Sequence, residues 1–155
     1  MPKSILNSKD KVFYARFLRG LFDTDGCLSF QKKNYSKFRL KKNFYPVISI
    51  ATVSERLIED IKEMLNYLQI KHFSHGYQPN TKRKDYPYKD NYRHAIYVNG
   101  IERLKKWMEV IGTRNPSKLS RYLIWQKFGF CPANLTYQQR KSILKGELDI
   151  NSLGL

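Results

Sequence analysis

Apolar positions in the first part of the chain change from helical to alternating spacing, which marks the first two predicted elements. A helix is expected from a cap at Asn7 or Ser8 to about Asp25, with Asp10 in its first turn, where a carboxylate suits the positive end of the helix dipole. Residues 26–33 then alternate apolar with polar side chains, the pattern of a strand with one buried face. The chain is therefore expected to pass from a helix directly into a strand.

The next segments predict a second strand, a second helix and a further pair of strands. Residues 45–52 are rich in β-branched side chains and are expected to form a strand antiparallel to the first. Ser54 is expected to cap an amphipathic helix that extends to residue 70, because apolar residues recur on one helical face. Residues 71–78 and 92–100 predict two strands joined by a long loop.

The remainder of the chain is predicted to be helical. Helices are expected over residues 101–112 and 116–129, and a short terminal helix is expected from Thr136. The predicted order is α-β-β-α-β-β-α with added helices, which is an α+β fold with a four-stranded antiparallel sheet. With 155 residues, the chain is expected to form one domain over residues 1–155.

Charge and composition restrict the classes of partner. Lys and Arg number 29 against 13 Asp and Glu, so the formal charge is +16, which favours a polyanionic partner. A basic disordered tail is excluded, because 41% of the residues are hydrophobic and 14% are aromatic. These proportions indicate a chain that folds around a core.

The cysteines and the apolar segments predict an intracellular protein without a structural zinc site. Cys27 and Cys131 lie far apart in the sequence and have no Cys or His neighbour at ligand spacing, so no disulfide framework or zinc site is expected. Charged residues interrupt every stretch of about 20 residues, so no membrane span is expected. The expected location is the cytoplasm or nucleoid of a prokaryote, or an organelle.

The densest chemical motif is LRGLFDTDG, residues 18–26, at the end of the first predicted helix. Gly20 and Thr24 lie four residues apart on one helix face, and small residues at this spacing allow two helix backbones to approach closely. Asp25 falls where the helix ends, so two such helices crossing at a twofold axis would bring two copies of its carboxylate together. Carboxylates bind Mg²⁺, and a metal beside a phosphodiester can activate water and neutralise the leaving oxygen.

Two other interpretations of the acidic residues were weighed. An EF-hand loop with Gly26 at its sixth position would need an acid at position 21 and Glu at position 32, where the chain has Leu21 and Lys32. That interpretation is excluded. A plain surface helix that ends in Asp-Thr-Asp-Gly is the simpler alternative, because Asp and Gly both favour helix ends.

The motif resembles the defining motif of the LAGLIDADG homing endonucleases. Six residues match it letter for letter: Leu18, Gly20, Leu21, Asp23, Asp25 and Gly26. Phe22 stands for an aliphatic residue, and Arg19 and Thr24 stand at the two alanine positions. The predicted element order is also similar to the αββαββα core of that family, so the resemblance covers about residues 8–130.

The resemblance implies a metal-dependent, site-specific double-strand DNA endonuclease of intron homing, built on the LAGLIDADG type of α+β core. A single motif implies a homodimer on a long pseudo-palindromic DNA site of about 16 to 24 base pairs. Asp25 and the backbone carbonyl of Thr24 are implied ligands of Mg²⁺, for which other divalent cations could substitute, whereas Asp23 is expected to fix the helix end. An intron RNA-splicing maturase or a non-cleaving DNA-binding protein of the same fold stays open as the alternative.

The resemblance further implies a cation near the scissile phosphate, on the segment that enters the last core helix. The candidates are Arg114 and Lys118, with a slight preference for Arg114 because it precedes Pro116 and hence the helix. Arg56 is a weaker second candidate, and Thr52 is expected to position water. The expected dimer interface comprises Phe17, Gly20, Leu21 and Thr24.

Basic loops and the outward faces of the strands are the expected DNA contacts. A basic run between residues 31 and 43 joins the first two strands, and a second one lies in the loop between the other two, so both hairpins would present cations. Alternation in the third strand predicts Phe73 on the core side, with His72 and Ser74 facing outward. A polar outer face can lie in the major groove, although a shift of one residue would reverse each set. The expected contacts are Ser29, Gln31, Lys33, Arg39, Lys41, Lys42, Ser49, His72, Ser74, Lys82, Arg83, Lys84, Arg93 and Tyr97.

Overall fold

Helices pack against one face of a four-stranded antiparallel sheet in the computed structural model of the chain. The structure describes residues 9–32, 34, 35, 38, 39, 43–78 and 92–153. Within these residues the helices are α1 (Lys11–Asp25), α2 (Glu55–Tyr67), α3 (Ile101–Val110), α4 (Pro116–Phe128) and α5 (Tyr137–Lys145), followed by a 3₁₀ turn (Ile150–Leu153). The strands are β1 (Cys27–Gln31), β2 (Asn34–Tyr35), β3 (Phe38–Arg39), β4 (Tyr45–Thr52), β5 (Phe73–Tyr77) and β6 (Arg93–Asn99). The predicted α+β class and four-stranded antiparallel sheet are confirmed.

Helix α1 begins later than predicted and ends where predicted. Asp10 is its N-cap rather than a first-turn residue, because the Asp10 carboxylate accepts hydrogen bonds from the backbone N–H groups of Val12 (2.6 Å) and Phe13 (3.3 Å). The expected cap at Asn7 or Ser8 is therefore wrong. At the other end, a Cβ on Gly26 would lie 2.8 Å from the backbone of Phe22, so this close turn into β1 requires glycine.

The strand order β1-β4-β6-β5 places β4 and β6 in the middle of the sheet. Strand β4 has the predicted bounds, it pairs antiparallel with β1, and Ser54 caps α2 as predicted. Strands β1, β5 and β6 and helix α2 are shorter than predicted by one to three residues at their ends. Strands β2 and β3 form a separate two-stranded ladder, and its side chains lie outside the described part of the structure.

Cross-strand pairing divides the sheet into a buried inner face and an outer face. The inner face packs against α1 to α4, and its apolar side chains are at most 3% exposed: Leu28, Phe30, Ile48, Ile50, Ile96 and Val98. The outer face carries the neighbours that pair directly across the strands, for example Cys27 with Ser49 and Ser49 with Tyr97. The predicted alternation in β1, β4 and β6 is confirmed.

The predicted orientation of β5 is wrong. Phe73 pairs with Tyr97 and is exposed on the outer face, so Ser74 lies on the core side, and His72 packs back with its Nδ1 atom 3.0 Å from the Ile70 carbonyl oxygen. Hydrophobic pattern cannot set the register of a five-residue edge strand with so little aliphatic surface. In the structure the Phe73 ring stacks on the Tyr97 ring of the neighbouring strand.

The two C-terminal helices are joined by a buried cation. Arg140 of α5 is 3% exposed and donates hydrogen bonds to the hydroxyls of Ser120 (2.9 Å) and Ser117 (2.8 Å) and to the Leu135 carbonyl. Burial lowers the pKa of its guanidinium group from the usual value. Thr136 caps α5 through a capping box, which confirms the predicted start of the terminal helix.

Candidate functional site

Both oxygens of the Asp23 carboxylate help to hold the end of α1. One of its oxygens accepts a hydrogen bond from the hydroxyl of Thr113, and the other accepts one from the backbone N–H of Arg114 at 2.9 Å. Its backbone carbonyl accepts from Asn115 Nδ2 and from Lys118 Nζ, each at 2.9 Å. These four bonds tie α1 to the segment that leads into α4, which agrees with the structural role expected for Asp23.

Asp25 has a different environment, although it lies only two residues further along. Its side chain is exposed, and one carboxylate oxygen lies 3.1 Å from the hydroxyl of Thr24. Among the residues that the structure describes, no other group hydrogen-bonds this carboxylate. The chain then turns through Gly26 into β1, so Asp25 stands at the junction of the motif helix and the sheet. Its oxygens are available to an external cation.

The two candidate cations lie on different sides of this junction. Lys118 extends to the end of α1, where its Nζ bonds the Asp23 carbonyl and lies 5.4 Å from the centre of the Phe22 ring. Arg114 instead lines an open groove of about 470 Å³ beside α1, together with Arg16, Arg19, Gly20 and Asp23. The structure therefore brings Lys118 into the helix end that carries the motif, whereas Arg114 contributes to a basic groove along the helix.

Thr52 and Arg56 lie at the same end of the sheet as Asp25. Because Cys27 pairs with Ser49 in antiparallel register, the last residues of β4 extend past the beginning of β1, on the side where α1 ends. The Thr52 hydroxyl oxygen accepts a hydrogen bond from the Ser54 N–H at 3.1 Å, and Arg56 is exposed in the first turn of α2. Thr52 and Arg56 therefore lie at the end of the sheet where the motif helix α1 ends.

A second groove lies between β1 and α4 on the other side of the junction. It has a volume of about 430 Å³ and is lined by Cys27, Ser29, Ser117, Lys118 and Arg121, among others. Sequence reasoning missed Arg121 and Cys27. Arg121 follows Lys118 by three residues, so helical spacing could have placed both cations on one face of α4. The groove therefore combines cations and small polar groups beside Asp25.

The predicted dimer interface forms one face of α1 that the described residues of the chain leave open. Gly20 and Thr24 are exposed, Phe17 and Leu21 are partly buried, and a Cβ on Gly20 would meet nothing within 4 Å. Phe13, which is 53% exposed, extends the same face by one turn and was not predicted, although its spacing from Phe17 indicates it. This arrangement can accept a second helix at close range.

The outer sheet face carries five of the predicted DNA contacts, and two others are misplaced. The outer face carries Ser29, Gln31, Ser49, Arg93 and Tyr97. The register of β5 shows that His72 and Ser74 do not face outward as predicted. The backbone of Arg39 lies in β3, but its side chain is outside the described residues. Six predictions fall wholly outside them: Lys33, Lys41, Lys42, Lys82, Arg83 and Lys84.

Neither a metal cluster nor a membrane span is present in the described part of the chain. No three side chains of the His, Cys, Asp or Glu type converge there in a way that could hold a metal ion. Both cysteines are free thiols; Cys27 is exposed and Cys131 is buried. No helix among those residues is long and apolar enough to cross a membrane.

Comparisons with known proteins identify one family and several similar structures. The profile of the LAGLIDADG-like domain matches residues 12–112. Comparison with curated protein sequences gives no match. The solved homing endonuclease I-CvuI in complex with its target aligns with a TM-score of 0.41 and 18% identity, over 87% of this chain and 65% of that one.

Two further structures are similar at the same level. I-CvuI in complex with the I-CreI target aligns with a TM-score of 0.46 and 15% identity, over 88% of this chain and 95% of that one. The archaeal intron-encoded homing endonuclease I-Vdi141I complexed with DNA aligns with a TM-score of 0.42 and 18% identity, over 93% of this chain and 77% of that one.

Proposed function

Because this chain belongs to the LAGLIDADG-like domain family, we propose that it is a site-specific double-strand DNA endonuclease of intron homing that acts as a homodimer. Family membership supports a DNA endonuclease, and one observation about this chain carries the proposal further. Asp25 is exposed at the junction of α1 and the sheet, while both carboxylate oxygens of the neighbouring Asp23 accept hydrogen bonds that fix that junction. The Asp25 carboxylate is thus held at the junction with its oxygens accessible to a ligand.

The donor atoms at this junction fit Mg²⁺. The Asp25 carboxylate and the backbone carbonyl of Thr24 are hard oxygen donors, and Mg²⁺ in proteins typically takes one or two carboxylates together with water and substrate phosphates. One chain supplies one such carboxylate, so we propose that the two Asp25 residues of a dimer hold the metal jointly. When bound, Mg²⁺ would supply a more acidic water and neutralise charge on the leaving oxygen. Other divalent cations could substitute.

Residues around the junction have distinct roles in this proposal. Lys118 is the preferred cation at the scissile phosphate, because its Nζ already reaches the end of α1. Arg114 is the second candidate, and its backbone N–H helps to hold Asp23. Thr52 would position water and Arg56 would add positive charge, since both lie at the same end of the sheet as Asp25. A fixed array of cations stabilises charge that develops during hydrolysis.

The proposed dimer uses the open face of α1, and its occupant is a second copy of that helix. Gly20 has space where a Cβ would stand, and Phe13 and Phe17 offer apolar surface on the same face. Small residues spaced four apart allow two helix backbones to come close. A symmetric contact of this kind brings the two copies of Asp25 toward one axis.

The outer face of the sheet is the proposed DNA surface. Its eight-residue strand β4 spans roughly 26 Å at about 3.3 Å per residue, which corresponds to about 8 base pairs. Two copies with basic loops at their ends would cover about 16 to 24 base pairs. The formal charge of +16 supports a polyanionic partner of this size.

Cleavage of an intron-free copy of the locus that encodes the chain tests the proposal. The protein is expected to produce a double-strand break at one site in that DNA with Mg²⁺, and none when the metal is removed with a chelator. Absence of cleavage under both conditions contradicts the endonuclease proposal. Binding of the intron RNA with no cleavage of DNA would favour the maturase instead.

A further inference from the structure

Three aromatic side chains form a stacked group on the outer face of the sheet, at the strand edge farthest from β1. The rings of Phe73 and Tyr97 are 4.9 Å apart at 12°, and the rings of His75 and Tyr97 are 5.1 Å apart at 6°. Phe73 is 45% exposed, and His75 is also exposed. These three residues are called the aromatic patch.

The aromatic patch is not part of the core that stabilises the fold. The inner face of β5 is provided by Ser74 and Gly76, and the ring of Tyr92 occupies the space that a Cβ on Gly76 would need. Phe73 therefore leaves its ring on the solvent side, where an exposed apolar surface is unfavourable unless a partner covers it. Burial raises the pKa of the Tyr97 phenol, so this ring stays neutral near neutral pH.

We propose that the aromatic patch makes apolar contact with the methyl group of thymine in the major groove of the DNA target, and thereby selects a T·A base pair in each half-site. The inference rests on the proposed function, because it takes the outer face of the sheet as the DNA surface. The patch shares that face with Cys27 and Ser49, which pair along the same row as Tyr97 and Phe73.

The chemistry of Phe73 decides which base the patch favours. Its ring has no hydrogen-bond donor or acceptor, so a polar base edge pressed against it would lose its bonds to water without replacement. Thymine is the one base that presents a methyl group in the major groove, where apolar side chains contact it. Cytosine at the same place would present an amino group to the ring. The patch therefore favours thymine over cytosine.

Strand spacing places the selected base pair away from the proposed cleavage centre. Three strand spacings of about 4.8 Å separate β1 from β5, so the aromatic patch lies roughly 14 Å across the sheet from Cys27. Arg93 pairs with Tyr77 beside the patch and is exposed, so a cation is available for the neighbouring phosphates. The patch is expected to act on an outer position of the half-site.

Selection of bound duplexes from a randomised DNA library tests the inference. The wild-type protein is expected to enrich thymine at one outer position in each half-site, and Phe73→Ser is expected to lose that preference while it keeps the preferences at all other positions. Leu123→Ser is the matched control, because Leu123 is 38% exposed on helix α4 and does not belong to the outer face of the sheet. The control should retain the full wild-type pattern.

Replacement of the selected thymine by uracil isolates the methyl group. Wild-type binding should weaken roughly fourfold for one half-site and roughly fifteenfold for both, the effect of one buried methyl group each. Binding by Phe73→Ser should not distinguish thymine from uracil.

The possible failures are distinguishable. Two results would overturn the role of the patch and leave the proposed function intact. In the first, the wild-type protein binds specific DNA but shows no thymine preference. In the second, it shows a thymine preference that Phe73→Ser leaves unchanged. A wild-type protein that enriches no DNA sequence overturns both.

Discussion

Asp23 and Asp25, the two acids of the motif, have different roles. Asp23 accepts two hydrogen bonds through its carboxylate, whereas Asp25 contacts only the neighbouring Thr24 hydroxyl among the described residues. The sequence could identify both acids and suggest which one fixes the helix. It slightly favoured Arg114 over Lys118, because the contact that favours Lys118 joins segments far apart in the chain.

Substitution of each acid by its amide tests this division. Asp25→Asn should reduce cleavage about 100-fold or more, because it removes the charge that holds the metal, and should change the free energy of unfolding by less than about 0.5 kcal/mol. Asp23→Asn should lower the free energy of unfolding by about 1 to 3 kcal/mol, because the amide keeps one acceptor oxygen and leaves either the Thr113 hydroxyl or the Arg114 N–H without an acceptor. Chemical denaturation and a cleavage assay measure both. Cleavage by Asp25→Asn near the wild-type rate would remove this residue from the mechanism.

The two cysteines allow a test of whether the outer face of the sheet binds DNA. Cys27 is exposed on the outer face beside Asp25, whereas burial raises the pKa of the Cys131 thiol to about 11 and covers it completely. At about pH 8, a maleimide should label Cys27 and leave Cys131 protonated and unreacted. Specific DNA should protect Cys27 from labelling, as measured by intact mass. Equal labelling with and without bound DNA would show that this face is not the DNA surface.

The helices and strands that were predicted correctly are those whose own residues specify them. Strand β4 and the caps at Ser54 and Thr136 were predicted correctly, because a β-branched run and capping residues specify them locally. Strand β5 was predicted with the wrong face, since its five residues carry too little aliphatic surface to indicate which face is buried. The start of α1 was missed because Asn7, Ser8 and Asp10 are all good capping residues and lie within one turn of each other.

Helix α1 carries the test of assembly. Gly20→Leu should abolish the dimer and cleavage together, because a leucine would separate the two helices at their closest approach. The folded monomer should keep its stability or gain up to about 1 kcal/mol, since a Cβ at Gly20 meets nothing within 4 Å and leucine favours helix more than glycine does. Sedimentation and denaturation measure the two effects.

A matched variant controls for the added leucine. Lys105→Leu places leucine at an exposed position of α3, away from the motif helix, and should leave the dimer unchanged. A Gly20→Leu protein that unfolds, or that stays dimeric and active, would contradict the proposed role of this face.

For the whole molecule, the sheet and the net charge determine the size of the DNA site and its salt dependence. Nuclease footprinting should show protection of about 16 to 24 base pairs of a partly palindromic site, with both cuts near its centre. Affinity should fall about 10³-fold or more between about 50 and 200 mM salt if about six or more phosphates are neutralised. A footprint shorter than one helical turn, or affinity independent of salt, would show that the sheet does not lie along the groove.

Mixing wild-type protein with Asp25→Asn protein tests the requirement for Asp25 from both copies of a dimer in a double-strand break. With both proteins pre-mixed in equal amounts and in excess over DNA, random pairing leaves about one quarter of the dimers with two wild-type chains. This requirement predicts that the rapid phase of double-strand cleavage falls to about one quarter of its wild-type amplitude. A fall to only about one half, as expected for an active monomer, or no cleavage by the wild-type protein, would contradict it.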